Sequence, residues 1–150
     1  QVDHAFVSGM LHDIGKLILA SQCPDEYQEI LQVVESSQDP RLWNVEEKHL
    51  GTGHAEVGAY LLGLWGFPDS VIEAVAFHHN PSAYTDSVLG PVAVVHAADM
   101  LFRISGEISS EDHLPEGLDI PFLKRIGLDG RLSAWMEACA AVIQGEAVDG

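Results

Sequence analysis

Positive charge is scarce in this sequence: 7 lysines and arginines stand against 23 aspartates and glutamates in 150 residues, a formal charge of −16. A nucleic-acid-binding surface needs a basic stripe, and none is visible. An anionic membrane surface repels such a chain for the same reason. Cysteine is nearly absent. Cys23 and Cys139 fit no CxxC or zinc-ribbon spacing, so they read as reduced, inert packing residues and point to the cytoplasm. No apolar run approaches the ~20 residues that cross a bilayer, and no signal-peptide pattern occurs. GxSxG and Walker-type loops are missing too, along with repeats and low-complexity tracts.

What is present is helical pattern. Apolar residues make up 47% of the chain, enough for a core in a single domain spanning 1–150. "GMLHDIGKLILA" (9–20) repeats Met10, Leu11, Ile14, Leu17 and Ile18 at helical spacing and reads as one helix against a core. "CPDEYQEILQVVES" aligns Tyr27, Ile30, Leu31 and Val34, with Pro24, Asp25 and Glu26 suited to a first turn. A short helix follows in "NVEEKHL", capped by Asn44. In "GTGHAEVGAYLLGLWG" the stripe is Val57, Tyr60, Leu61 and Leu64, with Trp65 as core packing at a tight turn. "FPDSVIEAVAFHHNP" turns Val71, Ile72 and Val75 inward and is closed by Pro81. A long apolar helix carries Val92, Val95, Asp99 and Phe102 and stops at Gly106; two more run through "IPFLKRIG" and Leu132 to Ile143. The fold class is all-α, a compact helical bundle.

Ionisable residues recur on these apolar stripes. His12, Asp13 and Lys16 fall in the first helix, His54 opens the fourth, His78 and His79 end the fifth, and Asp99 is embedded in the sixth. Burying such groups is costly unless they have partners. One buried histidine is more often a hydrogen-bonded core residue than a ligand; inward imidazoles and carboxylates from four helices together make a different pattern. Imidazole and carboxylate together suit iron, manganese, zinc or nickel, and facing helices of a bundle are a known source of two-metal sites. Lys16, one turn beyond His12 and Asp13, can anchor a phosphate or pair with Asp13. His96 reads either as a partner of the Asp99 carboxylate or as core packing. His49 and His113 read as solvated. His4 lies about 12 Å before His12 along a helix axis and cannot share its metal.

"FVSGMLHDIGKLILA", "HAEVGAYLLGLWGFPDSVIEAVAFHHNP" and "VVHAADML" together resemble the HDOD (HD-related output domain) branch of the HD superfamily of metal-dependent phosphohydrolases, in its response-regulator type. The resemblance implies an HD-like helical fold, here lacking its first helices, with a receiver domain upstream of this piece. It implies a metal set of His12, Asp13, His54, His78, His79 and Asp99. The "GYP" element of cyclic-di-GMP phosphodiesterases is replaced here by "HHNPSAY", which argues against that activity. The further upstream histidine of catalytic relatives falls outside this chain.

Three functions follow from the resemblance. The first is a signal-transduction output domain working through a protein partner, with homo-oligomerisation open and neither nucleic acid nor membrane involved. The second is a phosphomonoesterase or phosphodiesterase in which Asp13 bridges two metals and Lys16 meets the phosphate or protonates the leaving group. The third is a nucleotide or metal sensor without turnover. The few cations in the chain weigh against the second.

Overall fold

The computed structural model describes residues 2–37, 41–85, 89–104 and 117–143. Among them the chain is helical, with no strand, and forms a compact bundle. The helices are α1 (Val2–Leu11), α2 (Ile14–Gln22), α3 (Pro24–Ser36), α4 (Leu42–Leu50), α5 (His54–Leu64), α6 (Asp69–Phe77), α7 (Pro91–Ile104), α8 (Ile120–Arg125) and α9 (Leu132–Ile143). Short 3-10 turns at Pro81–Ala83 and Asp129–Arg131 lead into α7's approach and α9. No helix among the described residues is long and apolar enough to cross a membrane. Gly106 and His113 lie outside the described residues.

The apolar core has three parts. Leu19, Tyr27, Ile30 and Val45 join α2, α3 and α4. Ala59, Leu62, Val71 and Val75 join α5 to α6, with Val7 and Leu11 of α1 packed against them. Val92, Ala93, Val95, Met100, Phe122 and Leu123 hold α7 and α8 together. Asp119 accepts the backbone N–H of Phe122 at 2.9 Å and so caps α8.

The first helix of the sequence reading is two helices. The chain breaks at His12 and Asp13, between α1 and α2. His12 itself ends α1, its ring bonded to the Gly9 carbonyl at 2.8 Å, which satisfies one of the orphan acceptors of a helix C-terminus. Beyond the break, α2 crosses α5 at backbone contact. A Cβ on Gly15 would lie 1.9 Å from the His54 carbonyl oxygen and 2.9 Å from the Gly58 nitrogen. Met10 and Leu17 are consequently exposed, while Gly15 and Leu19 are buried.

The same close approach shifts the face of α5. Its buried residues are His54, Ala55, Gly58, Ala59 and Leu62, whereas Tyr60, Leu64 and Trp65 are 71%, 67% and 61% exposed. Small residues make the interface because backbones meet there, so of the expected stripe Val57 packs against the core and Leu61 is half-buried, while Tyr60 and Leu64 face outward. Trp65 is not core packing. Leu31 and Phe102 are likewise exposed, and α4 begins two residues before Asn44, so Asn44 lies inside the helix rather than capping it. Leu62→Ala is expected to cost about 2–5 kcal/mol in urea unfolding, and Leu64→Ala less than about 0.5 kcal/mol. Equal losses would restore the expected stripe.

Candidate metal centre

Six side chains converge where three helix ends or breaks meet the middle of α7. The α1–α2 break supplies His12 and Asp13, the start of α5 supplies His54, the end of α6 supplies His78 and His79, and α7 supplies Asp99. Ligand atoms of Asp13, His54, His78 and His79 all lie within 4.8 Å of one another, as do those of His12, His78 and Asp99. Both sets share His78. The structure therefore brings together all six residues named from the sequence. Lys16 joins them through an ion pair to Asp13 Oδ2 at 2.6 Å.

Three of the histidines are aimed by what their Nδ1 atoms touch. His12 Nδ1 meets the Gly9 carbonyl at 2.8 Å, and His78 Nδ1 meets the Val75 carbonyl at 2.7 Å. His54 Nδ1 meets Glu46 Oε2 at 2.5 Å. Carbonyl and carboxylate oxygens only accept, so each Nδ1 carries the hydrogen. In a neutral ring the lone pair is then on Nε2, and each Nε2 points into the cluster, the tautomer a metal requires.

The distances suit a single coordination sphere. His79 Nε2 lies 2.9 Å from His54 Nε2, while Asp13 Oδ1 lies 3.3 Å from His54 Nε2 and 3.9 Å from His78 Nε2. Two ligands about 2.1 Å from one ion are separated by about 3.0 Å at a right angle and about 4.2 Å when opposed. His12 Nε2 lies 3.7 Å from Asp99 Oδ1 and 3.6 Å from Asp13 Oδ2.

Two buried atoms in the centre, Asp13 Oδ1 and His78 Nε2, have no hydrogen-bond partner. Leaving such groups unpaired is expensive. An ion bound between them satisfies both. The residues present fit a divalent cation.

The electrostatics point the same way. Burial raises the Asp13 pKa, but the close approach of the His54 ring, the bond from Lys16 and the charge of His12 overcome it and hold the carboxyl well below the usual range. Burial works against charge on His54 and His12 as well; the nearby carboxylates of Asp13 and Glu46 for the first, and of Asp99 and Asp13 for the second, raise both above the ordinary histidine value. His78 is pushed down to about 4, chiefly by burial, with the charges of His54 and His12 adding to it. It is neutral at physiological pH and available as a donor.

Two neighbours escaped the sequence reading. Glu46, fully buried, accepts the His54 N–H at 2.8 Å, the His54 ring and the Tyr27 hydroxyl at 3.0 Å. One signal was available: Glu46 sits midway between Leu42 and Leu50 at i+4 steps on the apolar face of α4. Trp43 stacks on His79, with ring centroids 3.9 Å apart and planes 15° apart. His96 donates from Nδ1 to the His78 carbonyl at 2.6 Å and accepts the Asp119 N–H at 2.9 Å. It braces the backbone behind His78 rather than bonding the Asp99 carboxylate. His4 bonds Ser70 at 2.7 Å, tying α1 to α6 away from the centre. Cys139 is partly buried, and burial pushes its thiol pKa up.

An uncharacterized protein of Treponema pallidum (strain Nichols) is 25% identical over 115 residues, 76% of this chain. The chain spans only 22% of that relative's length. No solved structure matches. The HDOD domain family model matches residues 1–81, which include five of the six converging residues. The chain belongs to the HDOD domain family.

Proposed function

We propose that this is a signalling output domain of response-regulator type that acts through protein contacts and holds a divalent metal ion at its His/Asp centre. The observation that carries the metal half is the pair of buried, unpartnered atoms, Asp13 Oδ1 and His78 Nε2, within 3.9 Å of each other. Iron, manganese, zinc and nickel all suit the mixed nitrogen and oxygen donors. Protein contact is supported by exposed Val2, Phe6 and Met10, which recur every four residues along α1, and by Tyr60, Leu64 and Trp65 on and after α5. Apolar surface of this kind marks interaction sites; a protein partner or a second copy of the chain fits it.

Metal binding is expected to show directly in stability. An ion at 100 times its Kd adds about 2.7 kcal/mol to the folded state, which raises Tm by about 5–10 °C in a chain of this size. Thermal unfolding with chelator and then with Mn2+, Zn2+, Fe2+ or Ni2+ in excess measures this. An unchanged Tm with all four ions contradicts the metal half of the reading.

A second reading, a metal-dependent phosphohydrolase, is favoured by the accessibility of one side of the centre. The Asp13, Lys16 and His12 side chains are 37%, 25% and 21% exposed there. A bound metal supplies an activated water and a polarised phosphoryl oxygen, and the Lys16 ammonium is placed to meet a phosphate. Against it, a recess of about 440 Å3 beside His79 is lined by Trp43, Asn44, Thr52, Glu56 and Asn80 among others, with no lysine or arginine. Turnover of a phosphoester panel by the metal-loaded protein, lost in Lys16→Ala, would favour this reading over the first.

A further inference from the structure

We propose that Glu46, held in place by the Tyr27 hydroxyl, is a positioning residue that fixes the orientation of His54 and strengthens it as a donor, so that the group of Asp13, His54, His78 and His79 takes the first metal ion. The inference rests on the metal-binding reading above and goes beyond it to residues that touch no ligand.

The anchors of the histidines are unequal. His12 and His78 lean on carbonyls three residues back in their own helices, Gly9 and Val75. These are neutral acceptors that any helix end provides. His54 leans instead on a carboxylate brought from another helix, eight residues back in the chain. Glu46 is 0% exposed and spends both oxygens: Oε1 accepts from Tyr27, Oε2 accepts from the His54 backbone and ring. A carboxylate on the distal nitrogen raises the basicity of the metal-facing nitrogen and fixes the ring plane.

Burial of Glu46 itself needs an explanation. An ionised carboxylate with no solvent contact is costly without a compensating charge. Tyr27 contributes a neutral hydroxyl, and among the described residues no lysine or arginine pairs with Glu46. The His54 ring is its charge partner, and a cation on the far side of that ring would balance Glu46 through a neutral imidazole. Glu46 also caps the start of α5 through the His54 N–H, a structural task. Gly53 already has its own carboxylate for that end of the helix, Glu56 at 3.0 Å. The donor-strength role and the capping role give different experimental results.

The test is a Co2+ titration of chelator-treated wild type, Glu46→Gln and Tyr27→Phe, read by the visible d–d absorption and by calorimetry, with far-UV circular dichroism confirming that each variant is folded. Glu46→Gln is expected to weaken the first equivalent of Co2+ about 10–100-fold and to shift its absorption band. Tyr27→Phe, which keeps the ring and loses only the hydroxyl, is expected to weaken it in the same direction by a smaller factor. If either folded variant binds the first equivalent with wild-type affinity and an unshifted band, the positioning role is overturned, and Glu46 is a helix cap only. If Glu46→Gln does not fold, Tyr27→Phe alone decides. A wild type that binds no Co2+ overturns the metal-binding reading itself, and this inference with it.

Discussion

Gly15→Ala is expected to lower Tm by about 6–12 °C, corresponding to about 3 kcal/mol. Two effects oppose each other at this position. Alanine is a better helix former than glycine by about 1 kcal/mol, and Gly15 lies in the first turn of α2. Against that, the added methyl would sit 1.9 Å from the His54 carbonyl oxygen and 2.7 Å from its carbon. Both are backbone atoms at the start of α5 and cannot rotate away, so α2 has to lift. The clash outweighs the propensity gain. Gly58→Ala, whose Cβ would meet Ile14 Cγ2 at 3.1 Å, the Gly15 nitrogen at 3.2 Å and Val75 Cγ1 at 3.3 Å, needs shifts of only a few tenths of an ångström and is expected to cost about 1 kcal/mol. Gly9→Ala, with nothing within 4 Å of its Cβ, is expected to stabilise by about 0.5–1 kcal/mol. Thermal unfolding of the three variants without added metal gives the ranking, and a stable Gly15→Ala would disprove the backbone contact. The lifted helix also carries Asp13 away from His54, so weaker metal binding accompanies the loss of stability.

His78→Ala is expected to abolish metal binding, whereas His12→Ala is expected to leave the first equivalent in place. The contrast follows from the geometry. His78 belongs to both ligand groups, is fully buried, and presents an Nε2 with no other partner. His12 belongs to one group only and is 21% exposed. Its own bond to Gly9 is a helix-end cap that a water molecule can replace. Removing His78 also opens a cavity and unbinds the Val75 carbonyl, so folding has to be confirmed by circular dichroism before binding is read. Metal content after dialysis against one equivalent of Zn2+ separates the two variants. Equal retention by both would show that the ligand groups are not as the structure draws them.

How much of this was legible without coordinates differs from element to element. The helical class, the limits of α9 and the stripe of Val71, Ile72 and Val75 on α6 follow from periodicity, because those helices bury bulky residues against bulky residues. The break at His12 was hidden. Neither proline nor breaker glycine marks it, and it exists because His12 turns back to cap α1 while Gly15 pulls α2 onto α5. The face of α5 was misjudged for a related reason: hydrophobicity rises with side-chain size, but Ala55, Gly58 and Ala59 are buried because they are small. The six ionisable residues that converge were visible as polar interruptions of apolar stripes. Glu46 interrupts such a stripe too, yet on a helix rich in charge, "NVEEKHL", it looks like one more solvated carboxylate. Only the fold brings Tyr27 and His54 to it.

His12, Asp13, His54, His78, His79 and Asp99 form the proposed metal-binding centre. The most direct measurement is elemental analysis of the protein purified without chelator, beside an Asp13→Ala variant of the same length. Asp13 supplies a buried, unpartnered oxygen to the four-residue group and an ion pair to Lys16, so its removal takes out the one carboxylate of that group. Near-stoichiometric iron, manganese, zinc or nickel is expected in the wild type and a trace in the variant. A metal-free wild type that also takes up none of the four ions on dialysis would contradict the metal centre.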